Sequence, residues 1–402
     1  MMKTIKTTLW FLYGMLLMLV SCIEEYKMQE LLPLETPDIV IQGRIASGSE
    51  SVFYLSKTQP VGSEEKAESI LNAEITIVGQ NGYESPKATF NIEGDCYIIN
   101  TQELPDNTLY SVLIKAEGET YQSEFQELFI TPGIESVSYK EREDGISIHV
   151  TSYGNENTSP YYLWAYEEDW EFHATANING LKGIPVYSKE IYNLPFLDEN
   201  GNNPYLYCWG HNSSKHINIY NTTTLKENTA KEVELFRIPI DDVRISYLYS
   251  ILVKQYSLSP KGYQYYSLIK KYSEESSGIF TPILDEVKGN VTCISNPDIK
   301  VLGYVLASTC QTKRVFIYES DFTQICSEYD SGCKSSGWAE SFSWLNKIYS
   351  EGAIAMTYNG ELSSLLNPNI EETIFYSREC VDCRAVEGAT KKRPDFWPTD
   401  HE

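Results

Sequence analysis

Several sets of side chains have the types and spacing that chemistry requires. Cys380-x-x-Cys383 has the spacing of a dithiol redox pair. Such a pair needs its first thiol at a helix N-terminus, where the dipole lowers the thiol pKa. Here it lies in a coil-like tail ending in Pro and Trp, so a structural staple is the expectation. Cys208-x-x-His211 with His216 offers metal-ligand types, without a helical His-x-x-x-His or a recognised zinc spacing. Asp198-Glu199-Asn200-Gly201-Asn202-Asn203 gathers oxygen donors around a glycine but lacks the spaced acids and closing glutamate of an EF-hand, so it reads as a turn. Glu167, Glu168, Asp169 and Glu171 could supply the two carboxylates of a glycosidase. Adjacent acids on one strand point to opposite faces, and a solvated surface row is the expectation. No G-x-S-x-G elbow, H-E-x-x-H or phosphate-binding glycine loop occurs. No catalytic residue, metal or cofactor is therefore expected.

Aromatic residues are the surplus. Thirty tyrosines and seven tryptophans can build stacking platforms as well as core, and Trp164, Trp170 and Trp209 are the first candidates for a ligand-binding face. The formal charge is −24. That balance disfavours nucleic acid and anionic membrane surfaces through long-range repulsion.

The N-terminus suggests an export route. Lys3 and Lys6 precede the apolar run Leu9–Val20, which is short for a membrane span and ends in Leu19-Val20-Ser21-Cys22. This L-x-x-C resembles the bacterial lipobox, in which the cysteine thiol takes a diacylglyceryl thioether and the chain is cut before it. Residues 1–21 are read as a lipoprotein signal peptide, Cys22 as the lipidation site and 22–34 as a lipidated tether. An uncleaved anchor helix or an ordinary signal with an incidental cysteine is the competing reading. Cleavage removes two lysines and no acid, taking the charge from −24 to −26. Ile23-Glu24-Glu25 resembles the surface-export signal of Bacteroidota-type lipoproteins. The remaining cysteines, Cys96, Cys208, Cys293, Cys310, Cys326, Cys333, Cys380 and Cys383, are even in number. In an exported chain they are disulfide candidates. The near pairs Cys326–Cys333 and Cys380–Cys383 are the easiest to close.

The elements that must position these groups are mostly strands. From residue 35 to 131 the text alternates in period two, with turn residues such as Gln80-Asn81-Gly82 between runs. Leu104-Pro105-Asp106-Asn107-Thr108-Leu109-Tyr110 reads as the tyrosine corner of an immunoglobulin-like sandwich, and Gly118 sits at a hairpin. Thr131-Pro132-Gly133 marks the expected boundary. Residues 134–402 read as a larger β-rich mixed domain with a Cys-containing C-terminal tail. A helix is expected near 260–277, with Ser259 as N-cap, Pro260 at its first position and a stripe of Tyr265, Tyr266, Ile269 and Tyr272. A second, shorter helix is expected around Trp338 to Tyr349. The fold class is mainly β with a few helices.

Taken together, the lipobox, Tyr161-Tyr162-Leu163-Trp164, Gly289-Asn290-Val291 with Cys293, Val301-Leu302-Gly303-Tyr304 and the ending Cys380-Val381-Asp382-Cys383-Arg384 … Arg393-Pro394-Asp395-Phe396-Trp397-Pro398 resemble Bacteroidota lipoproteins catalogued as domain of unknown function 4249. One departure is Ala389-Thr390-Lys391-Lys392, where a Gly-Thr-rich turn is expected. The resemblance implies an outer-membrane location, lipid-anchored and facing the cell surface, often beside a TonB-dependent transporter importing a scarce nutrient. It transfers no catalytic residue. The expected function is non-enzymatic binding of a ligand or partner, against an adhesive or structural envelope protein or a hydrolase with an unrecognised site.

Overall fold

A computed structural model describes residues 39–58, 67–92, 94–105, 107–175, 204–214, 216–275, 288–333, 335–336, 354–357, 373–376, 380 and 382–398. The lipobox with Cys22, the Asp198–Asn203 stretch and the expected helix at 338–349 lie outside these residues.

The N-terminal strands are β1 (Ile39–Ser47), β2 (Glu50–Lys57), β3 (Glu74–Gly79), β4 (Thr89–Asn91), β5 (Cys96–Asn100), β6 (Leu109–Ala116), β7 (Glu119–Ser123) and β8 (Gln126–Glu127). Local chemistry sets their turns. Between β6 and β7, Glu117 and Gly118 both have positive φ, as a two-residue turn that follows strand twist requires. The Tyr110 hydroxyl donates to the Pro105 carbonyl oxygen at 2.6 Å, which is the tyrosine corner expected from the sequence. Period-two burial in β3 and β6 turns Ile75, Ile77, Val112 and Ile114 into one core with Ile41, Phe53 and Tyr97.

The next strands are β9 (Ile134–Arg142), β10 (Gly145–Tyr153), β11 (Tyr161–His173), β12 (Tyr207–Ser213), β13 (Asn218–Asn221), β14 (Thr229–Pro239) and β15 (Leu248–Ser257), followed by helix α1 (Pro260–Glu275). The Ser259 hydroxyl accepts from the Gly262 N–H at 2.9 Å, confirming the N-cap. After α1 come β16 (Val291–Cys293), β17 (Val301–Leu302) and β18 (Val305–Tyr318).

Two sandwiches result, and they share a sheet. In the first, β1-β2-β5-β4 faces β16-β7-β6-β3. In the second, β9-β10-β14 packs on β11, β15 and the later part of β18. The long strand β18 joins them. Its Val305–Thr309 run parallel to Gly43–Ser47 of β1, while Cys310–Tyr318 run antiparallel to Tyr256–Leu248 of β15. The N-terminal sandwich is thus not confined to residues 35–131, because β16, β17 and β18 complete it from the far end of the chain. The expected boundary is pinned rather than loose. The Thr131 hydroxyl donates to the Thr309 carbonyl oxygen at 2.6 Å, and Pro132 O accepts from Gln255 Nε2 at 2.7 Å.

The crossover into β18 is tight. Gly303 has φ +106°, and a Cβ there would lie 2.1 Å from the Ile41 carbonyl oxygen. Asn290 stands in for a strand neighbour: its side-chain amide donates to Val305 O at 2.7 Å and its carbonyl accepts from Val305 N at 2.8 Å. The Gly-Asn-Val and Val-Leu-Gly-Tyr motifs therefore act together as a backbone crossing.

Candidate functional site

Strand β11 presents two faces to two environments. Tyr162, Trp164 and Tyr166 point into the second sandwich with Tyr249, Ile251 and Val253 of β15. The alternate residues Leu163 and Ala165 lie under Tyr263, Tyr266 and Ile269 of α1, on the opposite face of the shared sheet. Farther along that second face come Glu167, Asp169 and Glu171.

The acids are not a solvated row. Glu168, Asp169 and Glu171 are 1%, 6% and 0% exposed, so the expectation of a surface cluster is corrected. Each carboxylate has partners that offset desolvation. Glu168 accepts from Arg244 Nη1 at 2.8 Å, the Tyr249 hydroxyl at 2.8 Å and Asn212 Nδ2 at 3.0 Å. Removal of Tyr249 from water and the charge of Glu168 hold its phenol well above the ordinary value. Asp169 pairs with His211 Nδ1 at 2.8 Å and Arg314 Nη1 at 3.0 Å. The Asp169 hydrogen bond is the main cause of a raised His211 pKa, with burial opposing it. Glu171 receives the Trp397 indole N–H at 2.5 Å and meets His173 Nε2 at 2.9 Å.

The C-terminal tail seals this region. Phe396 lies under the Arg314 guanidinium, 3.5 Å from its carbon to the ring centroid, and Trp397 packs edge-on to Phe316 at 5.7 Å. Thr390 exchanges two backbone hydrogen bonds with Trp209 at 2.8 and 2.9 Å. Disulfides Cys208–Cys383 and Cys333–Cys380 fix the tail, so Cys383 and Cys380 bond to distant partners rather than to each other. The easy closures Cys326–Cys333 and Cys380–Cys383 are thereby corrected. Tertiary approach outweighs sequence nearness once folding has brought the segments together. Cys96 and Cys293 are buried free thiols, Cys310 is half-buried and Cys326 exposed. With its sulfur bonded to Cys383, Cys208 cannot join His211 as a metal ligand.

The three tryptophans do not share a binding face, which corrects that expectation. Trp164 is 1% exposed and gives its indole N–H to Gln255 Oε1 at 2.7 Å. Trp170 packs so closely over Gly210 that a Cβ there would sit 2.2 Å from its ring. Trp209 is buried beside Leu248 and Trp397. Big planar rings fill a wide inter-strand space before they reach solvent.

One open cavity lies on the shared sheet beside α1, and of the three tryptophans Trp164 alone borders it. About 330 Å³ in volume, it is bordered by Arg44 and Tyr54 of the first sandwich, Glu167 and Lys254 of the second, and Tyr256 and Tyr266. Register places them together: Arg44 is opposite Leu306 of β18 and Glu167 is opposite Leu252 of β15. Lys254 is ion-paired with Glu167. Arg44 has no such counter-ion among the described residues. Its guanidinium carbon stands 5.2 Å from the Tyr256 ring centroid, and its buried Nε has no hydrogen-bond partner. Removal from water raises the Tyr256 and Tyr266 pKa values, against the opposing charge of Arg44, so both phenols stay neutral. The cavity therefore combines aromatic walls, a neutralised pair and one uncompensated cation. Sequence reading missed Arg44, since a lone arginine on a strand carries no motif.

The family described as "Domain of unknown function (DUF4249)" matches residues 23–314, and the chain belongs to it. No curated protein matches. Among solved structures, a two fibronectin type-III domain segment from chicken tenascin is 11% identical, over 54% of this chain and 90% of that one, with a TM-score of 0.15.

Proposed function

We propose that this member of the family is an exported, lipid-anchored protein of the cell envelope that binds a small ligand in the Arg44 cavity without transforming it. It works beside a TonB-dependent outer-membrane barrel that takes up the same ligand. The carrying observation is the cavity itself: an aromatic-walled opening with a cation that no described carboxylate neutralises. Leaving a buried polar group unpaired costs roughly 1–3 kcal/mol, a cost a binding site recovers when ligand arrives. Glu168, Asp169 and Glu171, the carboxylates with the chemistry for acid–base work, are instead tied into ion pairs and tail contacts. Two long-range disulfides suit an oxidising compartment, and the lipobox at Cys22 supplies the anchor. Two or more acyl chains on one cysteine hold a protein stably at a membrane.

The test is recovery of the tagged chain from native outer membranes in mild detergent, after a crosslinking control, with partners identified by mass spectrometry. A TonB-dependent barrel in stoichiometric amount is the expected result. Recovery of the chain alone would sink the transport reading and favour an adhesive role. Replacing Cys22→Ser is expected to abolish labelling by radioactive palmitate and to release the chain from the membrane.

A further inference from the structure

We infer that the Arg44 cavity selects a singly charged carboxylate carried on a ring or similarly compact apolar body. This names the ligand class of the proposed binding function and rests on that reading.

Charge counting comes first. Of the lysine, arginine and carboxylate side chains among the described residues lining the cavity, Lys254 and Glu167 cancel as an ion pair, which leaves the single positive charge of Arg44. One net charge suits a monoanion. A phosphate dianion would need a second cation, and among the described residues bordering the cavity the other lysine or arginine, Lys254, is already paired. A neutral ligand would displace water from Arg44 and return only neutral hydrogen bonds, which are about half as strong as charge-assisted ones.

The second argument is shape. Guanidinium and carboxylate are both planar and form paired, charge-assisted hydrogen bonds. Arg44 is held over the Tyr256 ring at 5.2 Å, and its buried Nε has no hydrogen-bond partner. Cation–π contact orients the group while leaving its hydrogen-bonding capacity unspent. The walls combine Tyr54, Tyr256 and Tyr266 with Leu163 and Leu306, surfaces on which a ring can stack, while Gln42, Ser213, Ser214 and His216 add polar groups at the lining. A volume of about 330 Å³ lies at the lower end of small-molecule sites, roughly 300–1,000 Å³, so one ring-sized acid fits.

The experiment uses the full chain in detergent micelles at about pH 8. Benzoate, benzamide and inorganic phosphate are titrated by calorimetry. The expected result is 1:1 benzoate binding at least about ten-fold tighter than benzamide or phosphate. Arg44→Met removes that preference, and Arg44→Lys weakens benzoate binding because the planar fork is lost. Glu167→Gln frees Lys254 and moves the preference toward phosphate, a gain that a merely unfolded variant could not show. Equal binding of benzoate and benzamide, a wild-type preference for phosphate, or benzoate selectivity surviving in Arg44→Met would overturn the inference, as would failure of all three probes to bind. A barrel recovered from membranes alongside any of those results would leave the proposed function standing. Benzoate selectivity without a barrel would do the reverse.

Discussion

Trp397 is one of the side chains that hold the tail, and its replacement separates packing from hydrogen bonding. The ring is 3% exposed and touches Trp209, Leu248 and Phe316, while its N–H reaches the fully buried Glu171 at 2.5 Å. Trp397→Phe keeps most of the ring and deletes the donor. A hydrogen bond to a charged acceptor contributes about 1.5–3 kcal/mol, so that is the expected loss. Trp397→Ala also deletes the ring, and burying-to-cavity changes of this size cost about 3–5 kcal/mol. The tail can open locally, which caps the loss at its own docking free energy. The assay is urea denaturation with disulfides intact, paired with hydrogen exchange over residues 384–398. A cycle with Glu171→Gln isolates the pair, and its coupling is expected near 1–3 kcal/mol. Zero coupling would show that the Trp397–Glu171 contact does not hold the tail. Equal losses for Trp397→Phe and Trp397→Ala, both smaller than the docking free energy read from hydrogen exchange, would refute the packing part.

Non-reducing peptide mapping is expected to recover Cys208–Cys383 and Cys333–Cys380, with Cys326 labelled by maleimide in the folded chain and Cys96 and Cys293 only after unfolding. Replacing Cys208 and Cys383 by alanine opens a link across 175 residues and is expected to cost about 2–5 kcal/mol in chemical denaturation. His211 has a folded pKa raised mainly by its hydrogen bond to Asp169, so its contribution is fully present below the ordinary value near 6.5 and fades as pH rises through the raised folded value. The stability gap between wild type and His211→Ala should therefore narrow between acidic and mildly alkaline buffers, and a gap that widens with pH would refute the assignment. Gly303→Ala must accept φ +106° and a Cβ 2.1 Å from a carbonyl oxygen. Its expected cost is about 2–5 kcal/mol, from backbone strain and overpacking together, read as a lowered melting temperature.

What sequence alone determined was local. The tyrosine corner at Tyr110, the Glu117-Gly118 turn and the Ser259 cap involve groups within a few residues of each other, so residue type and spacing suffice to specify them. Period-two alternation likewise determined the mainly β class, because it depends only on which side of a strand each residue faces. Tertiary structure decided everything that joins distant segments. Strand β18 welds two sandwiches through residues more than 250 positions away from β1, and no local signal marks such a pairing. Burial of Glu168, Asp169 and Glu171 needed Arg244, Arg314 and Trp397, each contributed from elsewhere in the chain. Cysteine pairing followed spatial approach rather than spacing, since loop-closure cost grows only slowly with length. Arg44 became a candidate binding group only when folding placed it over Tyr256 and paired its neighbour Lys254 with Glu167. An uncompensated charge is defined by what surrounds it, and those surroundings exist only in the folded chain.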